Sequence, residues 1–347
     1  MGIKDTLSNG LKGLGKSRIQ ISHGTILTFT ALLLILFIAF TIRMLPIRWE
    51  LSSGIIGLNE FDPYYQYSLV NKMVTDGLLS PYWPTAWVNY QHFYPGGLDM
   101  SMSLPSLPMT AAIFYNIVTA LGVTIDLMSF CAIMAPILGT LSVFVLYFLA
   151  KDFAGKTVGL LSAFILALMP SVIQRSSLGF FDTETVGLLS LLLFIFLFLR
   201  AIEPTRSLRS MVLYSVGAAA TLAYFAAGWG AAYYLIDLVA VFSLVLVFMK
   251  RYSQRLLFSY SITFGLGLFV AIAVPFLSPA YLSTATVLPV ALVFAVLCIA
   301  EVLRAQITIR TKTLLAVGAL GVGVVAVVLL AVFVFKRKSG GAKTKQG

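Results

Sequence analysis

Long apolar stretches alternate with short polar ones along the chain. The first covers residues 25–42, and further runs cover approximately 127–149, 158–173, 186–199, 211–225, 231–248, 257–277, 285–303 and 314–335. Runs approaching 20 apolar residues are long enough to cross a bilayer as helices. A helix is also the open-chain structure that satisfies its own backbone there. The pattern therefore predicts an all-α polytopic membrane protein, with a transmembrane domain over 25–335, a basic N-terminus over 1–24 and a basic tail over 336–347. Two polar stretches break the rhythm: a long first loop over 43–126 and a second loop over 174–185. Within the first, residues 106–122 are apolar enough for a short, partly immersed helix that does not cross.

Charge orients this scheme. Lys4, Lys12, Lys16 and Arg18 precede the first run, which lacks the short core and cleavage site of a secretory signal, so it reads as a retained helix with a cytoplasmic N-terminus. Four later loops carry Lys151 and Lys156; Arg200, Arg206 and Arg209; Lys250, Arg251 and Arg255; and Arg304, Arg310 and Lys312. They alternate with loops almost free of Lys and Arg. The positive-inside rule places the basic loops in the cytoplasm and the loops 43–126 and 174–185 outside. The tail, with Lys336, Arg337, Lys338, Lys343 and Lys345, fits only if the last run returns as a hairpin; otherwise it departs from the rule.

Composition agrees: 59% of residues are hydrophobic, 11% are charged, and the mean hydropathy is +0.96. The net charge of +11 lies in short loops and tails and does not point to nucleic acid. Cys131 and Cys298 fall inside apolar runs and read as packing residues.

The acids carry the candidate chemistry. Glu60 and Asp62 lie in NEFDPYYQY, and Asp182 and Glu184 lie in SLGFFDTE, beyond Arg175. Carboxylates at a membrane edge are costly unless paired, protonated or metal-bound. At i and i+2 two side chains diverge on a helix, but before a helix start both can turn toward one cation. Oxygen-rich sites of this kind suit Mg2+ or Mn2+ and leave room for a substrate phosphate. A plainer account stays open beside it: Asp182-Thr183-Glu184 as an N-capping cluster, Asp62-Pro63 as a turn and Arg175 as a snorkelling charge.

In order along the chain, EFDPYYQYSLVNKMVTDGL, HFYPGGLDM, PSVIQRSSLGFFDTETVGLL and AAGWGAAYYLIDL resemble the motifs of the catalytic subunit of oligosaccharyltransferase, including the archaeal single-subunit enzymes. The resemblance covers roughly residues 25–250 and implies a type C glycosyltransferase-like helix bundle. It implies that Asp62, Asp182 and Glu184 bind Mn2+ or Mg2+, that Asp62 and Glu184 are catalytic, that Arg175 binds the lipid diphosphate, and that Glu60 contributes to substrate binding. The implied reaction moves an oligosaccharide from a dolichol-type phosphate lipid to the asparagine of an Asn-X-Ser/Thr sequon. It would take place at the outer face of the cell membrane, or in the endoplasmic reticulum if the chain is eukaryotic. Partners would then be a lipid-linked oligosaccharide, an acceptor protein or peptide and membrane lipid.

Family members continue into a Thr-Ile-X-Glu loop and a soluble domain with a Trp-Trp-Asp motif. The chain is accordingly expected to be the N-terminal transmembrane half: a truncated, split or inactive form, or one completed by a separate chain. Cys298-Ile299-Ala300-Glu301 is similar to the missing glutamate motif, but the threading puts Glu301 at a cytoplasmic helix end beside Arg304. Two other classes stand as alternatives, a noncatalytic membrane subunit that binds lipid-linked sugar and a polytopic transporter.

Overall fold

The computed structural model describes residues 22–54, 56–77 and 87–305, together with position 318. The expected run over 314–335, position 318 apart, the tail over 336–347 and residues 1–21 lie outside this described set.

Helix α1 (His23–Met44) is capped by Ser22, whose hydroxyl accepts from the Thr25 N–H at 3.3 Å. Its 22 residues extend about 33 Å at 1.5 Å per residue, the thickness of a hydrocarbon core. The described part of the long first loop is built of regular elements. It folds into α2 (Ile47–Ser53), α3 (Phe61–Asp76), a two-stranded antiparallel hairpin of β1 (Val88–Asn89) and β2 (Leu98–Asp99), a 3-10 turn (Met100–Met102) and α4 (Ser106–Ala120). In α4, Leu107, Ala111 and Ala112 are buried while Ile113, Phe114 and Ile117 stay exposed, as a partly immersed helix requires.

The next stretch is helical from Leu127 to Leu168, but it is two spans folded back on each other. Gly155 has φ +86° and ψ −179°, a region open essentially to glycine alone. Beyond it a Cβ on Gly159 would sit 2.8 Å from the Tyr147 carbonyl oxygen, a contact only a hairpin allows. We label the whole α5; its tip falls between Lys151 and Lys156, where the charge pattern requires a turn. After it come α6 (Pro170–Gln174), α7 (Thr183–Ile202), α8 (Leu208–Ala226), α9 (Ala232–Phe248), α10 (Gln254–Ala271), a 3-10 turn (Pro279–Ser283) and α11 (Leu288–Arg304). Among the described residues five helices, α1, α5, α7, α8 and α10, are long and apolar enough to cross a membrane.

Prolines explain where the helices depart from the apolar runs. The run to 173 is cut at Met169 by Pro170, which opens α6. The run to 277 stops at Ala271 because Pro275 has no N–H to donate and disfavours a helical residue before it. Helix α11 begins at Leu288, with Pro289 in its first turn.

Lipid is as apolar as a leucine core, so close packing rather than burial alone holds such helices together. Between α8 and α10, a Cβ on Gly267 would lie 3.0 Å from the Ala219 carbonyl oxygen, and Thr263 donates to the Ser215 carbonyl at 3.3 Å. One apolar cluster joins α7 to α11 through Phe194, Phe198, Leu222, Leu235, Phe264 and Leu297. A second joins α1 to the α5 hairpin through Leu32, Ile35, Val143 and Ala163. The third lies under the two polar loops: Leu58, Val70, Leu107, Cys131, Leu138, Leu178 and Phe181. Cys131 is thus a core residue, and neither cysteine is bonded.

Candidate active site

The segment after α6 is held by backbone bonds to three distant parts of the chain. Leu178 N–H donates to the Arg43 carbonyl at 2.9 Å and Gly179 N–H to the Ala132 carbonyl at 3.1 Å. Asn59 closes the pattern: its N–H donates to the Gly179 carbonyl and its Nδ2 to the Leu178 carbonyl, both at 2.9 Å. Gly179 has φ +83°, and a Cβ there would lie 2.8 Å from Asn59 Nδ2, so the crossing requires glycine. Leu178 and Phe181 are wholly buried beneath it.

Arg43 anchors this seam from below. It is completely buried at the end of α1. Its Nε donates to Ser176 Oγ at 2.8 Å, and its Nη1 donates to the Ala39 and Ala167 carbonyls at 2.9 and 3.1 Å. The backbone of α5 comes so close that a Cβ on Gly139 would meet the Arg43 Nε at 2.8 Å. A buried cation without a carboxylate is costly, and the acceptors on Nε and Nη1 offset this only in part, because Nη2 is buried with no partner.

The four acids sit at two helix starts. Glu60, at φ 68°, precedes α3 and makes no side-chain cap, and Asp62 is exposed in the first turn. Asp182 caps α7, its Oδ1 accepting from the Thr183 N–H at 2.6 Å, and Glu184 follows in the first turn. The capping account is therefore correct for Asp182, and it does not exhaust the site. Arg175 Nη1 stands 3.8 Å from Glu60 Oε2 and 3.8 Å from Glu184 Oε1, so one guanidinium nitrogen bridges the two loops. Its guanidinium also lies 5.1 Å from the centre of the Phe180 ring. Trp229, in the turn after α8, props the other side. A Cβ on Gly187, one turn into α7, would fall 2.1 Å from the Trp229 ring, so the indole lies flush on bare backbone.

Burial pushes the Asp182 carboxyl up to about 7; the Thr183 N–H opposes this, while the carboxyls of Glu184 and Asp62 add to it. Glu184 Oε2 is buried with no donor. Two neighbouring carboxyls, one raised and one with an unmet oxygen, call for a proton or a cation between them. Among the described residues no three His, Cys, Asp or Glu side chains converge into a ready-made metal cage. A hard divalent ion of the magnesium kind needs only one or two carboxylates plus water and phosphate oxygens, which is what Asp182, Glu184 and Asp62 have to offer.

Glu301 lies elsewhere. It ends α11 and accepts from the Tyr252 hydroxyl at 2.7 Å, beside the basic loop of Lys250 and Arg251. Sequence reasoning missed Arg43, Asn59 and the contact of Trp229 with Gly187. Only Trp229 left a signal, in its Trp-Gly turn.

The fold and the site define a polytopic membrane protein whose helix bundle carries an arginine-bridged cluster of acids at one face. Residues 25–338 match the family described as oligosaccharyl transferase STT3, N-terminal. The chain belongs to that family and is an integral, multi-pass membrane protein. A rice (Oryza sativa subsp. japonica) relative, dolichyl-diphosphooligosaccharide–protein glycosyltransferase subunit STT3B, is 32% identical over 253 residues, which are 72% of this chain and 33% of the relative. Among solved structures, the Archaeoglobus fulgidus oligosaccharyltransferase in complex with Zn and sulfate superposes with a TM-score of 0.67 at 19% identity, over 87% of this chain and 39% of that one. The same enzyme tethered to an acceptor peptide containing the NVT sequon gives a TM-score of 0.61 at 19% identity, over 89% and 38%. The chain spans about a third of the length of the rice relative.

Proposed function

We propose that the chain builds the donor-binding half of an oligosaccharyltransferase site, which transfers an oligosaccharide from a polyprenyl (di)phosphate lipid to the asparagine of an Asn-X-Ser/Thr sequon. The observation that carries this reading is the bridge from Arg175 to both Glu60 and Glu184, which gathers one cation and two acidic pairs at one edge of the bundle. The name of the rice relative supports a dolichyl-diphosphate donor and a protein acceptor, and the A. fulgidus complexes support a divalent ion, an anion subsite and a sequon peptide. Positive charge gathered at the opposite loops supports an external face for the site.

In this reading the anomeric carbon forms a new bond to the acceptor amide nitrogen and breaks its bond to the phosphate oxygen. Arg175, half-exposed and only loosely held at 3.8 Å, turns to the phosphate oxygens and holds them through paired N–H groups. Asp62 accepts a hydrogen bond from the acceptor amide, orients its poorly nucleophilic nitrogen, and takes the proton that the nitrogen releases as the new bond forms. Asp62, Asp182 and Glu184 would be the residues to hold Mn2+ or Mg2+, with water and phosphate oxygens completing its shell, and the ion would supply positive charge to the leaving phosphate. Glu60 keeps Arg175 beside the site.

The test uses the purified chain, alone and mixed with the C-terminal portion of a relative. Each sample receives a lipid-linked oligosaccharide, a fluorescent sequon peptide and Mn2+. Transfer retards the peptide on a gel, chelation stops it, and Asp62→Ala and Asp182→Ala abolish it. Mn2+ binding followed by electron paramagnetic resonance is lost in the same two variants. Wild-type metal binding in both would overturn the assignment.

A further inference from the structure

Helix α7 starts at the acids and ends, 20 residues and about 30 Å away, beside a second site of different chemistry. Its last turn, the tip of α5, the end of α9 and the start of α10 enclose a pocket of about 660 Å³. The surrounding backbone is fixed in place. Arg255 of α10 donates to the Glu203 carbonyl at 3.0 Å and to the Arg206 carbonyl, which pins the loop between α7 and α8. Helix α9 closes in a Schellman turn: the Arg251 N–H donates to the Leu246 carbonyl at 2.8 Å and the Lys250 N–H to the Val247 carbonyl at 3.0 Å. Lys250 takes φ 59° there, where glycine is usual, and Arg251, the residue after it, joins the pocket wall.

Two of the three arginines in the wall are already paired. Arg200 Nε and Nη2 donate to the two Asp152 oxygens at 2.5 and 3.0 Å, and its Nη1 donates to the Tyr214 hydroxyl at 3.0 Å. Arg206 Nε donates to one Glu203 oxygen at 2.5 Å, and the other accepts from the Thr205 hydroxyl at 2.9 Å. Arg251 is exposed, and among the described residues no carboxylate pairs with it or with Arg255. The rest of the chain has almost none to bring: of its 13 acids, every one except Asp5 lies in the described residues. The wall thus sets three guanidinium groups against the carboxylates of Asp152 and Glu203. Ser253, which caps α10, belongs to the same wall, so the positive end of that helix dipole adds to the imbalance. Such a pocket calls for an anion.

The remaining wall decides which anion. Leu149, Phe153, Phe196 and Leu246 line it with hydrocarbon, and α5 and α7, both long enough to cross a membrane, turn or end here. A soluble phosphate would use the arginine and leave those carbons unmatched, whereas a phospholipid uses both. We propose that the pocket binds an anionic phospholipid, its phosphate held by paired N–H groups of Arg251 and its acyl chains laid against the apolar wall. The inference is independent of the transferase reading and concerns the opposite end of the bundle from the acids.

The experiment uses the full chain, stripped of lipid in an uncharged detergent. Phosphatidylglycerol, phosphatidylcholine with the same acyl chains and glycerol 1-phosphate are titrated, with native mass spectrometry counting bound lipid and thermal unfolding reporting its effect. Phosphatidylglycerol is retained and raises the unfolding midpoint. Phosphatidylcholine binds about tenfold more weakly, and excess glycerol 1-phosphate does not displace the anionic lipid. Arg251→Gln weakens phosphatidylglycerol about fivefold, the worth of one cation at a membrane surface, and Arg251→Lys weakens it less. Arg209→Gln removes an exposed cation at the same end of the bundle but outside the pocket, and leaves binding unchanged. All three variants unfold as wild type does without lipid, since neither arginine holds a partner in the fold. The proposal is overturned if phosphatidylcholine binds as tightly as phosphatidylglycerol, or if Arg251→Gln has no effect or no more effect than Arg209→Gln. Displacement by glycerol 1-phosphate at equal concentration would overturn it too, as the mark of a site for soluble phosphates.

Discussion

Replacing Asp182 by Asn removes a titratable group from the centre of the site and leaves an N-cap acceptor for the Thr183 amide. In the folded chain, burial and the carboxyls of Glu184 and Asp62 raise Asp182 from 3.8 to about 7. At 1.36 kcal/mol per pH unit, ionising it inside the fold costs about 4 kcal/mol. Because the folded value lies above the unfolded one, this group's stabilising share is complete below about pH 4 and is lost as the pH rises through about 7. Thermal unfolding of the detergent-purified chain in chelator, from pH 4.5 to 8.5, measures that loss. The wild-type midpoint falls across the window, and Asp182→Asn removes this part of the fall, so at pH 8 the variant is the more stable of the two. Mn2+ added at pH 8 raises the wild-type midpoint, because the ion replaces the missing proton, and leaves Asp182→Asn where it was. Parallel profiles, or a variant less stable than wild type at pH 8, would refute the account of a strained carboxyl cluster.

Other variants separate holding from binding. Arg175→Gln changes stability by less than about 1 kcal/mol, since its ion pairs are 3.8 Å long and its side chain is 49% exposed, yet it weakens capture of lipid-linked oligosaccharide at least tenfold in a competition assay. Gly187→Ala drives a methyl into the Trp229 ring and costs about 1–3 kcal/mol. The cost shrinks in the Trp229→Ala background, as a double-mutant thermal cycle reports. Arg43→Met leaves the Ala167 carbonyl without its buried donor, at about 1–3 kcal/mol, while the Ser176 hydroxyl still donates to the Val172 carbonyl; Ser176→Ala removes one acceptor from the guanidinium and lowers the unfolding midpoint less.

The helices were legible because lipid imposes one rule on every span: enough apolar residues, with charge at the ends. Even the fold-back inside α5 could be read from Lys151 and Lys156. Helix ends were less legible where an apolar run continues past a proline, as at Pro170 and Pro275. The acids stood out because a chain this apolar has few places for them. Arg43 did not, since an arginine closing an apolar run reads as a charge reaching for water. Its Nε and Nη1 partners include Ser176 and Ala167, 133 and 124 residues away, which no local pattern reveals.

The crossing of Asn59 and Gly179 also decides how the site can move. Two hydrogen bonds and a glycine contact with no room for a methyl tie the first loop to the second, with Ala132 and Arg43 bonded to the same segment. On that side Glu60 and Asp182 are tied to one frame, and hydrogen–deuterium exchange is expected to find the amides of Asn59, Leu178 and Gly179 slow. At Arg175 the loops meet only through half-exposed charges. If the proposed reaction holds, a substrate too large to thread the seam enters there, and the arginine offered to the phosphate is also the latch of the door through which it arrives.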